Sequence, residues 1–227
     1  MKVRFTPLWL VIMASPAFAQ DKSVKPGIND PFKDPDVQGF INKFEVESRD
    51  IYAHRKDIVA ACKLKPGMVV ADVGAGTGLF TRLMAPEVGA NGKVVAVDIA
   101  QKFLDHVQKT CKEAKIENVK TVLCTPTSAE LPENSVDLVF ICDTYHHFEF
   151  PFKTMASIHK ALRPGGQLIL IDFHRIKGQS TDWVMGHVRA GQQVFMKEVE
   201  QSGFKKISEE TIMKDNYFVR FEKVEKK

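Results

Sequence analysis

The stretch Val69-Val70-Ala71-Asp72-Val73-Gly74-Ala75-Gly76-Thr77-Gly78 limits what this chain can fold into more than any other. An apolar run carries an acid near its end and passes into a loop with glycine at every second position. Glycine lacks a Cβ and adopts positive φ freely, so the backbone there can bend sharply and approach a ligand closely. The run is short and rich in valine, as a buried strand requires. The spacing departs from the dinucleotide fingerprint G-x-G-x-x-G. The third glycine comes one residue early and Leu79 takes its place, which argues against a nicotinamide or flavin site.

Beyond this point strands and helices alternate. Strands are expected near 68–73, 93–97, 119–123, 136–142 and 167–173, and helices near 78–85, 100–114 and 151–162. Such alternation builds a parallel sheet with helices on both faces, and continuous apolar runs such as Val136-Asp137-Leu138-Val139-Phe140-Ile141 suit strands buried on both sides. A further helix over 190–201 stops at Gly203. Two strand-like runs, 204–212 and 216–224, then meet at the short polar turn Lys214-Asp215 and should pair antiparallel. The expected fold is α/β, a Rossmann-like doubly wound sheet of seven strands, five parallel plus a C-terminal antiparallel hairpin. Ahead of the first strand, apolar residues at helical spacing over 44–62 end at Pro66-Gly67, and the polar, Pro- and Asp-rich stretch 20–36 reads as a flexible leader.

The first nineteen residues resemble an export signal. Lys2 and Arg4 precede an apolar run over 8–14, and Ala17-Phe18-Ala19 offers a small-x-small cleavage pattern. The run falls short of the ~20 residues that a spanning helix needs. We therefore expect a signal peptide over 1–19, a single domain over 37–227, and an exported, periplasmic protein with no stable membrane span after cleavage. The alternative is a cytosolic enzyme tethered by an uncleaved leader, and a mature chain starting at Gln20 would exclude it. A net charge of +4 with no basic stripe outside the tail Lys223, Lys226 and Lys227 speaks against nucleic acid. Export would permit disulfides, yet Cys62, Cys124 and Cys142 sit in or beside apolar segments and, with Cys111, are expected as buried thiols. No C-x-x-C pair occurs.

In an open parallel sheet, ligands bind beyond the carboxyl ends of the strands where the winding reverses. Asp98 ends the second strand and follows the loop by about the 20 residues the dinucleotide analogy calls for. A carboxylate there suits the two hydroxyls of a ribose, and it could equally cap the next helix. Ile99 would then lie on the base. Further pieces follow in order: Ser135-Val136-Asp137, then Asp143-Thr144-Tyr145-His146-His147-Phe148, then Leu162-Arg163-Pro164-Gly165-Gly166. Together with the loop they resemble the class I S-adenosylmethionine-dependent methyltransferases of the small-molecule type, the quinone-biosynthesis enzymes among them. The resemblance covers nearly the whole chain after the leader.

That resemblance implies cofactor contacts at Asp72, Gly74, Ala75, Gly76, Thr77, Gly78, Asp98 and Ile99, with Asp143 near the methionine group. Relatives often place an acid a few residues before a Leu-Pro pair to receive the adenine amino group. Here Leu131-Pro132 is present but Thr127 stands in the acid's place, leaving Thr127 or Ser128 to reach the base edge.

Methyl transfer requires an acceptor held in line and, for most acceptor atoms, a proton removed. His146, His147 and His174 follow strand ends and are the candidate bases, although such histidines also satisfy backbone groups. Tyr52, His54 and Arg55 fall where N-terminal lid helices cover the acceptor in this superfamily, and Tyr145 joins them as an acceptor-side candidate. For the first three, a solvated helix face is the competing explanation. Trp183, Met185 and His187 suggest either an apolar wall or a docking helix. No metal is expected, because adjacent residues such as His146 and His147 rarely point at one ion and no H-x-x-x-H pair occurs. The expected function is methyl transfer from S-adenosylmethionine to a small-molecule acceptor. The alternative is an exported, non-catalytic binding protein that keeps the nucleoside-binding fold.

Overall fold

Period-two alternation of apolar side chains, with both phases buried, organises the core. The computed structural model describes residues 20–225, so the leader over 1–19 and the last two lysines lie outside the described residues. Five parallel strands run as β1 (Val69–Val73), β2 (Lys93–Asp98), β3 (Val119–Leu123), β4 (Val136–Cys142) and β5 (Leu162–Phe173). The hairpin β6 (Phe204–Glu210) and β7 (Asn216–Lys223) joins through β7, antiparallel to β5, giving the order β3-β2-β1-β4-β5-β7-β6. This is the architecture the alternating pattern predicts.

Along β4, Leu138 and Phe140 enter one core while Val139 and Ile141 enter the other. The first core is closed by α3 (Arg55–Ala61) and α4 (Leu79–Val88), which supply Ile58 and Met84. The second is closed by α6 (Pro151–Ala161) and α8 (Gln192–Gln201), through Ile158 and Phe195. Each such fully buried side chain contributes roughly 1.5–3 kcal/mol relative to exposure. Asp137 fixes the register at the opposite end of the sheet. Its Oδ2 accepts from the Val69 N–H at 2.7 Å, and its Oδ1 accepts from Arg163 at 2.6 Å.

The chain winds outward from β1 through β2 to β3, then returns to place β4 on the other side of β1. Helices leaving β1 and β4 therefore diverge, and a crevice opens at the carboxyl ends of those two strands. The N-terminal region roofs it. The helical segment expected over 44–62 is broken into α1 (Val37–Phe44), α2 (Asp50–Ala53) and α3, with His54 outside helical geometry between the last two. Residues 20–36, read as a flexible leader, lie against the body. Ile28 is buried, and the Val24 N–H donates to the Glu149 carbonyl at 2.9 Å. Between β5 and α8 the chain adds α7 (Asp182–His187), begun by the Thr181 side chain, which accepts from the Val184 N–H. Among the described residues no helix is long and apolar enough to cross a membrane.

Candidate active site

The glycine loop forms one wall of a cavity of about 680 Å³ over the β1–β4 crevice. Gly74 and Gly76 hold φ of +78° and +52°, conformations that L side chains rarely adopt. A Cβ on Gly74 would run into the Thr144 side chain, whereas one on Gly76 would enter open space. Gly78 has another task. It stands outside the cavity lining, precedes α4 with φ +77°, and would strike Val107 if it bore a Cβ. Ala75, Thr77 and Ile99 line the cavity as expected.

Asp98 ties the loop to β2. Its Oδ2 accepts from the Gly76 N–H at 2.8 Å and its Oδ1 from the Ala100 N–H at 2.9 Å. The cap position of α5 (Gln101–Glu113) belongs to Ala100, so Asp98 closes a turn rather than capping the helix. Asp72 accepts from the Thr81 hydroxyl at 2.6 Å, and burial pushes its carboxyl up to about 7. Burial also raises Asp98. After β3 the wall is made by Thr125, Pro126 and Ser128. Thr127 is outside it, so the hydroxyl expected at the adenine edge falls to its neighbours.

The opposite half of the cavity is aromatic. Phe40 stands between Phe32 and Phe103, with ring centroids 5.3 and 5.4 Å away, and Phe44 continues the roof. Arg49, at the start of α2, forms an ion pair with Asp143, whose Oδ1 accepts from Asn216 at 2.6 Å. Asp143 adopts φ +48° just past β4. Burial lifts its carboxyl to about 6 despite the opposing pull of Arg49.

Three imidazoles close the far wall. His146 is buried, and its Nδ1 lies 2.8 Å from Oδ1 of the fully buried Asp172, whose Oδ2 accepts from the His146 backbone N–H at 3.1 Å. A carboxylate oxygen can only accept, so Nδ1 carries a hydrogen toward Asp172 and Nε2 is the nitrogen left for other partners. The His146 and His147 rings are 4.3 Å apart, and His147 Nε2 is 3.3 Å from His187 Nε2. Trp183 stacks on His187 at 4.6 Å with an 18° tilt. Burial drives His147 down to about 2 and His187 to about 4, so both rings are neutral near pH 7.

Several expected site residues lie elsewhere. His174 is outside the cavity lining and packs its ring 5.7 Å from Tyr217, while Phe173 faces the cavity. Tyr145 is fully buried, packs on Phe148 and Phe195, and donates to Glu198 at 3.1 Å, so it belongs to the core. Tyr52, His54 and Arg55 are likewise absent from the lining. Arg55 bonds Glu47 at 3.0 Å and stacks on Tyr52, and His54 faces Asp57, the solvated-face arrangement. Arg49 and Ile51 reach the cavity from that segment instead. Cys124 and Cys142, expected in the core, line the cavity, and burial raises Cys124 to about 12, so it is a thiol. All four cysteines are free.

Residues 71–170 match the family described as "Methyltransferase domain". A ubiquinone/menaquinone biosynthesis C-methyltransferase of Hydrogenovibrio crunogenus is 32% identical over 114 residues, which are 50% of this chain and 45% of the relative. A demethylmenaquinone methyltransferase of Listeria welshimeri is 30% identical over 118 residues, 52% of this chain and 50% of that protein. The chain thus spans about half the length of the curated relatives it matches. A SAM-dependent methyltransferase from Aquifex aeolicus superposes with a TM-score of 0.73 at 24% identity, covering 82% of this chain and 98% of that one. The matched domain and the superposition place the sheet and its crevice in the fold that these methyltransferases share. The solved neighbour is one named as SAM-dependent.

The cavity has the features that S-adenosylmethionine requires. Each Asp98 oxygen receives one backbone hydrogen bond and keeps a lone pair for a ribose hydroxyl. Ile99, Phe103 and Pro126 offer apolar walls to a flat base. Arg49 and the carboxylates of Asp72 and Asp143 supply the charges that a carboxylate and an ammonium group require. The open space before Gly76 is a cradle that any side chain there would enter. The volume lies within the roughly 300–1,000 Å³ of small-molecule sites.

Proposed function

We propose that this chain transfers a methyl group from S-adenosylmethionine to a small, planar, largely apolar acceptor of the quinol or phenol class. One observation carries the reading: the Asp98 half and the aromatic half form a single cavity, so a cofactor and a flat apolar partner can meet inside it. Two relatives bear names from quinone biosynthesis, which favours this acceptor class. When bound, the sulfonium supplies an electrophilic methyl group. The rest falls to the protein. Asp98 and the glycine loop orient the nucleoside, and Phe32, Phe40 and Phe44 exclude water from the acceptor. His146, its Nδ1 held by Asp172, is the base that would take the acceptor's proton, since burial leaves His147 too weakly basic for that step.

We also propose export to the periplasm, on the strength of Lys2, Arg4, the apolar run and Ala17-Phe18-Ala19. N-terminal sequencing of the mature protein should give Gln20, whereas an intact Met1 would defeat export by this route.

The test of activity begins with calorimetric titration using S-adenosylmethionine and S-adenosylhomocysteine, followed by radiolabelled methyl transfer to a panel of quinols and phenols. Micromolar binding and a labelled acceptor are expected. A folded protein that binds neither nucleoside would overturn the enzyme reading in favour of a binding protein for another ligand.

A further inference from the structure

We propose that His146, His147 and His187 form a binding site for a divalent transition-metal cation of the zinc, copper or nickel class. The sequence argues against this, since neighbouring residues on regular structure diverge. The three residues Tyr145–His147 instead form a 3-10 turn, and both histidine rings face the cavity. His187 arrives from the short helix α7, 40 positions away in the chain. Each residue offers one ring nitrogen such that all three lie within 4.8 Å of one another.

The distances suit coordination. Nitrogens roughly 2.0–2.1 Å from one tetrahedral zinc stand about 3.3–3.4 Å apart. The His147 and His187 Nε2 atoms already stand 3.3 Å apart. From the 4.8 Å limit, closing the trio takes a shift of at most roughly 1.5 Å. His187, half-buried on a six-residue helix, is the ring best placed to move.

The support around the ligands is also that of a metal site. Histidine ligands ordinarily hold a carboxylate or carbonyl with the nitrogen that does not bind the ion. His146 does so with Asp172, at 2.8 Å and with both partners buried, which leaves Nε2 as the nitrogen to meet an ion. His147 Nδ1 is buried beside the Ile28 backbone without a hydrogen bond of good geometry. Trp183 stacks on His187 and gives that ring an apolar backing. Asp143 and Asp172 bring negative charge to this end of the cavity. They oppose the ammonium of Lys25, which is held on the carbonyls of Gly186 and His187. Three imidazole ligands leave a fourth tetrahedral position, as in catalytic rather than structural zinc sites. All three rings line the cavity, so that position opens onto the space assigned above to the acceptor. A cation there would bind an acceptor oxygen and promote its ionisation, replacing an imidazole in that task. This last consequence rests on the methyl-transfer reading, but cation binding itself does not.

The test is a Co²⁺ titration of the full chain, free of any affinity tag, followed in the visible spectrum and by equilibrium dialysis, with Zn²⁺ as competitor. One equivalent should bind with the intense absorption of tetrahedral Co²⁺ and be displaced by Zn²⁺. His187→Ala and, separately, His147→Ala should each remove that spectrum and weaken binding at least ~100-fold, and Asp172→Asn should weaken it ~10–100-fold. His54→Ala, on the solvated face, should change nothing. Absence of a tetrahedral spectrum in the unaltered protein would overturn the site and leave the 3.3 Å contact as a hydrogen bond between imidazoles. So would a loss of binding in His54→Ala equal to that in His187→Ala. Binding of S-adenosylhomocysteine, measured on the same samples without metal, separates this outcome from failure of the methyl-transfer reading.

Discussion

The two halves of the cavity are built on different plans. The cofactor half draws on one continuous region, with Asp72, the glycine loop and Asp98 spaced along β1, α4 and β2. Its key contacts bind side chain to backbone, as when Asp98 receives the Gly76 and Ala100 N–H groups. The acceptor half and its junction with the methionine end are assembled from side chains far apart in the chain: Arg49 with Asp143 at that junction, His146 with Asp172, and His147 with His187. A half made of backbone tolerates change in its surroundings, whereas a half made of side-chain pairs depends on every element that brings them together.

Asp98→Ala should break the first half outright. It removes two ribose acceptors and releases the loop, costing roughly 3–4 kcal/mol of S-adenosylhomocysteine affinity, or several hundredfold. Calorimetry checks this, and retention of affinity within tenfold would mean the nucleoside is held elsewhere.

Arg49→Ala attacks the junction of the two halves. Asp143, whose side chain is only 10% exposed, would be left without its guanidinium, at a cost of about 3 kcal/mol of folding stability. Asp143→Asn in the same chain should restore about half of that loss, since the stranded charge disappears. Chemical denaturation of the single and double variants decides. Additive losses would show that the pair contributes no coupling.

This division also explains what could be read from the sequence. The seven strands were legible because buried strands announce themselves as apolar runs, and Asp72 and Asp98 because strand ends at a reversal in winding are where ligands bind. Tyr52, His54 and Arg55 misled because a polar helical turn looks the same whether it faces ligand or water. Arg49, three residues earlier, is the one that turns inward. His174 misled for a related reason: one position past β5 the backbone has turned, and Phe173 takes the cavity side. His187 had a visible signal in Trp183, four residues before it on one helical turn, but its meeting with His147 is purely tertiary. The 3-10 turn that aligns His146 with His147 has no clear mark in the sequence.

Asp172→Asn sharpens the comparison further, because Asp172 touches no ligand and acts by positioning His146. The amide allows the opposite ring tautomer, so kcat should fall about 100-fold, equivalent to about 2.7 kcal/mol. Cofactor affinity should stay within twofold, since the cofactor half does not depend on this pair. A matching loss of affinity would show that the two halves are coupled.

Asp72→Asn tests whether the cofactor half keeps a carboxylate at the expense of stability. Burial raises the folded-state value of Asp72 to about 7 from an ordinary 3.8. Between those values the folded protein holds more protons than the unfolded one. Stability from this group therefore falls as pH rises through that window, and the full cost is present above about pH 7. Asparagine has no such titration. Its amide must still find partners beside Thr81, which offsets part of the gain. The variant should match the parent at pH 4 and exceed it by about 1–2 kcal/mol at pH 8, while losing cofactor affinity. Denaturation curves across pH 4–8 measure this directly. If the two proteins show parallel stability across the range, the Asp72 carboxyl does not titrate there, and its burial carries no cost that cofactor binding must justify.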